Sequence, residues 1–237
     1  MHKVKGAMEI RAVKITEPIP DPLFRELLAK TSRDESKRIG SFRQSADAER
    51  ALASILLRNA VLCGKLRLSP EQLAFGRSEY GKPYLLNREG LHFNLTHSGM
   101  WVAAAFDEQP VGIDIEEIRE IDLDIAQRYF SGQEHRDLMG KSPGERIAYF
   151  YDLWTLKESY IKALGKGLSV PLGSFTIERS SNTAISLKGQ ATAETWHFRQ
   201  YNMDPGYKLS ICAGSPDFPD TVTVMDINEL IGRDSIK

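Results

Sequence analysis

The stretch Asp152-Leu-Trp-Thr-Leu-Lys-Glu-Ser-Tyr-Ile-Lys162 sets charged side chains inside a pattern that is otherwise apolar. From Gly144 to Leu164, Ile147, Phe150, Tyr151, Trp154, Ile161 and Leu164 recur at spacings of three and four, which predicts an amphipathic helix with one face in a core. Glu158 follows Trp154 by four residues and precedes Ile161 by three, so at roughly 100° per residue it falls inside the apolar arc. Lys157 shares that arc, and Lys162 sits at its edge. A carboxylate removed from water without a partner costs several kcal/mol or changes its protonation state. A Glu158–Lys162 pair one turn apart supplies only about 0.3 to 0.5 kcal/mol on a surface. It accounts for Lys162 and leaves the inward-facing Glu158 unexplained, so this helix is read as functional.

Composition limits what the rest can be. The chain has 237 residues, 41% of them hydrophobic, enough for a packed core in one large domain or two small ones. With 31 basic and 32 acidic residues the formal charge is −1, which disfavours nucleic acid as partner; an anionic ligand must be held by a local cluster. Cys63 and Cys212 belong to no CxxC or Cys/His pattern, so they are read as core thiols rather than as a disulfide or part of a zinc site. Met1 to Ile10 has no apolar signal-like run, and no later run approaches 18 apolar residues. A soluble, cytoplasmic protein without a membrane partner is expected, with Met8 a second candidate start.

Upstream of the helix, Ile10 to Ile15 reads as a strand, Pro18, Pro20 and Pro22 break the chain, and Leu23 to Leu28 begins a helix. Ser32 to Arg43 is basic and reads as a solvated helix face carrying Arg38. Ser45 to Leu62 is a clearer helix, with Gly64 as its stop and Arg50 and Arg58 off the apolar stripe. Glu79-Tyr-Gly-Lys-Pro83 reads as a turn with Lys82 at its tip. In Leu91-His-Phe-Asn-Leu-Thr-His-Ser-Gly99 the alternation of Leu91, Phe93 and Leu95 predicts a strand that ends in Thr96, His97 and Ser98, groups suited to phosphate oxygens. A purely structural histidine fits that position equally well.

Trp101 to Phe106 and Val111 to Glu117 read as the two strands of a hairpin turning at Asp107 to Pro110. Strand alternation puts Asp114 and Glu116 on one face, roughly 7 Å apart at Cα, with Gly112 leaving space beside them. Parallel carboxylates repel unless a cation joins them. An all-oxygen set points to Mg²⁺, or Mn²⁺, with Glu158 as a third ligand, although a solvated acidic face has the same bare pattern.

Taken in order, Asn94-Leu-Thr-His-Ser-Gly99, Val111-Gly-Ile-Asp-Ile-Glu116 and Trp154-Thr-Leu-Lys-Glu-Ser-Tyr-Ile-Lys162 closely resemble the motifs of the 4′-phosphopantetheinyl transferases. Within that family they resemble the larger, monomeric Sfp-type enzymes that serve nonribosomal peptide synthetases. Glu79 to Pro83, Gly165-Lys-Gly-Leu168 and Asp204-Pro-Gly-Tyr-Lys208 extend the likeness over nearly the whole chain. The resemblance implies an α+β fold of two similar α/β halves about a pseudo-twofold axis, residues 1–108 and 109–237, with coenzyme A and Mg²⁺ in the cleft between them. It implies attack by a serine of an apo peptidyl or acyl carrier protein on the β-phosphate of coenzyme A, releasing 3′,5′-ADP. Asp114, Glu116 and Glu158 would hold the metal, and Glu158 would serve as base, directly or through a water. Lys162 and Lys157 would meet phosphate oxygens, and His97, Thr96, Lys82, Arg38 and Arg50 would contact the nucleotide; Arg58 receives no role. Glu35 and Ala51 stand where these enzymes often carry a lysine and a threonine, and Thr96 where serine is usual. Leu168, Val170 and Leu172 are candidates for carrier-protein docking or, equally, for core packing. A Mg²⁺-dependent phosphodiesterase would want the same carboxylates and lysines, and a noncatalytic carrier-binding module could dispense with them.

Overall fold

The computed structural model describes residues 7–86, 88–189 and 195–235. The first half opens with β1 (Glu9–Lys14), α1 (Asp21–Ala29), α2 (Arg33–Gly40) and α3 (Ser45–Leu66). Pro22 lies in the first turn of α1, where a missing N–H costs nothing, and a Ser32/Glu35 capping box starts α2. Helix α3 runs through Gly64 instead of stopping there; it ends at Arg67, which takes a left-handed conformation at φ 54°. Nothing crowds Gly64, so the expected stop is only a weak spot inside the helix.

A short ribbon, β2 (Phe75–Arg77) and β3 (Pro83–Leu85), precedes β4 (His92–Ser98), β5 (Trp101–Asp107) and β6 (Val111–Glu117). The first sheet has the order β4, β5, β1 and then β11 (Thr223–Met225). Strand β5 is paired along both edges, by β1 and β4, so β6 has no edge left to join. The expected hairpin therefore does not form: β6 turns away and pairs with β10 (Tyr207–Ala213), which pairs with β9 (His197–Tyr201).

Between β6 and that return lie α4 (Asp124–Tyr129), α5 (Gly132–Met139), α6 (Pro143–Leu164) and a ribbon of β7 (Thr176–Arg179) and β8 (Ile185–Lys188). The chain closes with β11, parallel to β1, and α7 (Ile227–Ser235), which packs on α3. The last strand and helix thus belong to the first half, which corrects the assignment of all of 109–237 to the second.

Strand alternation organises the core. On β5, Val102, Ala104 and Phe106 face the core beneath α3, whereas Trp101, Ala103 and Ala105 face the second sheet. There they meet Val111, Ile113 and Ile115 of β6, so the two sheets share one apolar interface. The opposite face of β6 presents Gly112, Asp114 and Glu116 toward α6. Helix α6 is buried on nearly every side from Phe150 to Ala163, not along one face, because β6 and β10 cover one side and α5 and β7 the other. Phe150, Leu153, Leu156, Tyr160 and Ile161 are each at most 1% exposed, and each contributes about 1.5 to 3 kcal/mol by burial.

Candidate active site between the two halves

The two sheets meet where β4 runs beside β6, and side chains rather than backbone join them. Asn94 Oδ1 accepts from the Ile113 amide at 2.9 Å, Thr96 Oγ1 from Ile115 at 3.2 Å, and Ser98 Oγ from Glu117 at 3.1 Å. Alternate β4 residues therefore satisfy alternate amides on the free edge of β6, which a buried edge requires. The same hydroxyls reach the carboxylates: Thr96 donates to Asp114 Oδ1 at 3.2 Å, and Ser98 to Glu116 Oε2 at 2.8 Å.

Gly112 brings the helix onto this strand. A Cβ there would collide with the Ser159 carbonyl and the Ala163 amide, so the space beside the carboxylates is filled by the backbone of α6 rather than left open. This close approach carries Trp154, Glu158 and Lys162 to the face that bears Asp114 and Glu116. All five line one cleft of about 510 Å³, together with Thr96, His97 and Arg38.

The cleft's acidic end is electrostatically unsatisfied. Asp114 is 3% exposed; its Oδ1 receives Lys162 Nζ at 2.5 Å, and its Oδ2 has no hydrogen-bond partner among the described residues. Burial raises its pKa against the pull of Lys162. Burial and the neighbouring Asp114 push Glu116 up to about 7, and the same two causes raise Glu158. Glu158 makes no hydrogen bond or ion pair among the described residues; Lys162 is committed to Asp114, not to the carboxylate one turn before it. An orphaned buried oxygen beside two carboxylates of raised pKa is the donor chemistry of a hard divalent cation. Among the described residues, however, no three such groups are gathered closely enough to hold an ion as they stand.

Other expected site residues lie elsewhere. Lys157 is fully buried, pairs with Glu134 at 2.6 Å and donates to the Phe175 carbonyl at 2.8 Å, so it does not meet phosphate. Glu134 also accepts from the amides of Ile177 and Ser131, which makes the pair a tie between α5, α6 and β7. Lys82 is neither solvated nor in the cleft. Its ammonium donates to the carbonyls of Val111, Lys162 and Ala163 at 3.0, 2.5 and 3.3 Å, so its N–H groups are spent on backbone, and burial pushes its pKa down to about 8. Arg50 is bonded to the Gly99 carbonyl and to Asp47 and does not line the cleft. Leu172 is buried in the second core and Val170 packs against it, which removes both from the candidate docking surface; the side chain of Leu168 lies outside the described residues.

A model of the 4′-phosphopantetheinyl transferase superfamily matches residues 110–212, and one of the 4′-phosphopantetheinyl transferase N-terminal region matches residues 18–109. The chain is 37% identical to the 4′-phosphopantetheinyl transferase Sfp of Bacillus subtilis over 94% of its own length and 100% of that protein's. It belongs to the 4′-phosphopantetheinyl transferase family. Two more relatives are each 34% identical: the 4′-phosphopantetheinyl transferase psf-1 of Bacillus pumilus, over 95% of this chain and 98% of that one, and the 4′-phosphopantetheinyl transferase gsp of Aneurinibacillus migulanus, over 94% and 93%. The α+β fold in two halves is that of the family.

In this transferase the basic end of the cleft holds residues that the sequence did not single out. Arg58 and Arg77 line it together with Arg38 and Glu35. Arg58 is 4% exposed although it lies off the apolar stripe of α3, because its guanidinium stacks on Phe75 at 3.6 Å and pairs with Glu35 at 2.9 Å. Helical period alone could not find a stacking partner supplied by β2.

Proposed function

We propose that this protein transfers the 4′-phosphopantetheine arm of coenzyme A to a serine of apo peptidyl or acyl carrier proteins, such as those of nonribosomal peptide synthesis. In this reading it is a cytoplasmic monomer that bridges donor and carrier at the cleft. The single observation that carries the reading is the convergence of Asp114, Glu116, Glu158 and Lys162 from two elements on one cleft, in a chain of this family. The serine oxygen attacks the β-phosphorus, the bond from that phosphorus to the bridging oxygen breaks, and 3′,5′-ADP leaves.

Asp114, Glu116 and Glu158 would hold Mg²⁺, with Mn²⁺ as an alternative, and the bound ion would neutralise charge on the donor's diphosphate. Glu158, with no hydrogen-bond or ion-pair partner among the described residues and a pKa raised by burial and by Asp114, is the residue to accept the serine proton. Lys162, held ready on Asp114, would turn its ammonium to the phosphate oxygens and the leaving group. Thr96 and Ser98 fix the carboxylate orientations, and His97 and Arg38 line the path of the nucleotide.

The test is the intact mass of an apo peptidyl carrier protein after incubation with this protein, coenzyme A and Mg²⁺. One added phosphopantetheine, absent with EDTA and absent on a serine-to-alanine carrier, is expected. Consumption of coenzyme A with no gain in carrier mass would sink the reading in favour of a hydrolase.

A further inference from the structure

One buried ion pair at the basic end of the cleft has no place in the chemistry described so far. Glu35 is gripped from both sides: Oε1 lies 2.9 Å from Arg58 Nη1, while Oε2 accepts from the Ser32 amide at 3.2 Å and the Ser32 hydroxyl at 2.8 Å. Burial alone would raise its pKa, but the Arg58 charge and the Ser32 bonds outweigh that effect and hold it below the usual carboxylate range, so it is ionised. Arg58 is equally fixed, with Nε and Nη2 on Asn59 Oδ1 at 3.0 and 2.8 Å and its plane on Phe75. Both residues line the cleft and also a second cavity of about 510 Å³ behind it.

Resting on the transfer reaction proposed above, the placement of donor charge follows from its chemistry. The diphosphate is the reacting group and belongs at the carboxylate end with Lys162. The one other ionised group of coenzyme A is the phosphate on the ribose 3′ oxygen, and the arginines at the far end are its counter-charges. A dianion that approaches Arg58 meets Glu35 on the same guanidinium, so repulsion offsets much of the attraction.

We propose that Glu35, held on Arg58, is a specificity-determining residue that lowers the weight this transferase gives to the ribose 3′-phosphate, so that 3′-dephospho-coenzyme A is accepted nearly as well as coenzyme A. Replacing Glu35 by glutamine keeps the length and the Ser32 contact but removes the charge, and so exposes Arg58 to the phosphate.

The experiment compares KM and kcat for coenzyme A and 3′-dephospho-coenzyme A, at saturating carrier protein, in the native protein and in Glu35→Gln. Calorimetric binding of both donors to both proteins is measured alongside. For the native protein the two donors should agree within roughly threefold in KM and in Kd. In Glu35→Gln both constants for coenzyme A should fall about tenfold, with the dephospho donor and kcat unchanged, a change of about 1.4 kcal/mol in donor discrimination. Adding Arg58→Met to Glu35→Gln should erase that gain, and a thermal melt of each variant checks its fold. A native preference for coenzyme A above thirtyfold, or an equal shift for both donors in Glu35→Gln, would overturn the proposal. Binding without transfer from either donor would sink the transferase reading instead, while the ratio of binding constants still decides the role of Glu35.

Discussion

Helices α3 and α6 are each 22 residues long and each packs on the outer face of one sheet, but they bury different chemistry. The buried face of α3 is alanine, leucine, isoleucine and valine, interrupted only by Ser54 and Arg58. Helix α6 buries Asp152, Thr155, Lys157 and Ser159 and half-buries Glu158 and Lys162. Almost every one of these charges is answered: Asp152 by Lys208 at 2.9 Å, Lys157 by Glu134, Lys162 by Asp114. Among the described residues Glu158 is the exception. One helix is thus an apolar scaffold, and the other is a scaffold whose inward charges are paired except at the carboxylate that lines the cleft. Polar groups withdrawn from water are costly unless paired, so an unpaired, half-buried carboxylate among paired ones is what singles out Glu158 for the role proposed above.

The sharpest way to break this contrast is to neutralise the free group. Glu158→Gln should lower carrier-protein modification roughly 10³-fold or more while leaving the thermal midpoint within about 2 °C, measured by intact mass kinetics and by melting. Near-normal turnover would remove Glu158 from the mechanism.

The neighbouring charge should respond in the opposite way. Lys157→Met strands Glu134 in the core and should cost about 3 to 5 kcal/mol in urea unfolding, whereas the double change Lys157→Met with Glu134→Leu should recover most of that loss. If Lys157→Met instead keeps its stability and loses affinity for coenzyme A, the phosphate role first expected for Lys157 returns. Gly112→Ala tests the close approach of helix and strand. Its Cβ must push back the α6 backbone, costing about 2 to 3 kcal/mol and lowering kcat as Glu158 and Lys162 move off the carboxylates. An unchanged kcat would mean that the site tolerates a looser helix.

The residues that could be read from the sequence were those whose position follows from counting. A period of two placed Asp114 and Glu116 together, and a period near 3.6 placed Glu158 and Lys162 on a face that meets them. What counting misses is the partner. Lys157 was correctly placed inside the apolar arc, yet its fate depends on Glu134, which lies 23 residues earlier on a separate helix. Arg58 needed Phe75 and Glu35, and Lys82, at the tip of a turn, reached carbonyls 29 and 80 residues away. The hairpin failed for a related reason: local sequence shows two strands and a turn, but not that β5 already has both edges taken.

Lys82 offers the finest test, because it crosses from the first half to finish the scaffold of the second. Its ammonium caps carbonyls in the last turn of α6, the negative end of that helix. Lys82→Met should therefore cost only about 1 kcal/mol near pH 7, with a modest fall in kcat. The pH dependence carries a definite sign. The folded protein holds this lysine at about 8 against an unfolded value of 10.5, so between those limits the unfolded chain binds more protons and the native protein gains stability as pH rises. The substituted protein lacks that gain, so the gap in Tm between native and Lys82→Met should widen from pH 8 to pH 10. Taking the difference removes titrations common to both proteins; His92, Lys162 and Cys212 are the titratable neighbours that feel this charge. A gap that stays constant would mean that Lys82 keeps an ordinary pKa and holds α6 as a hydrated surface cation, and a gap that narrows would require the folded protein to favour its charge.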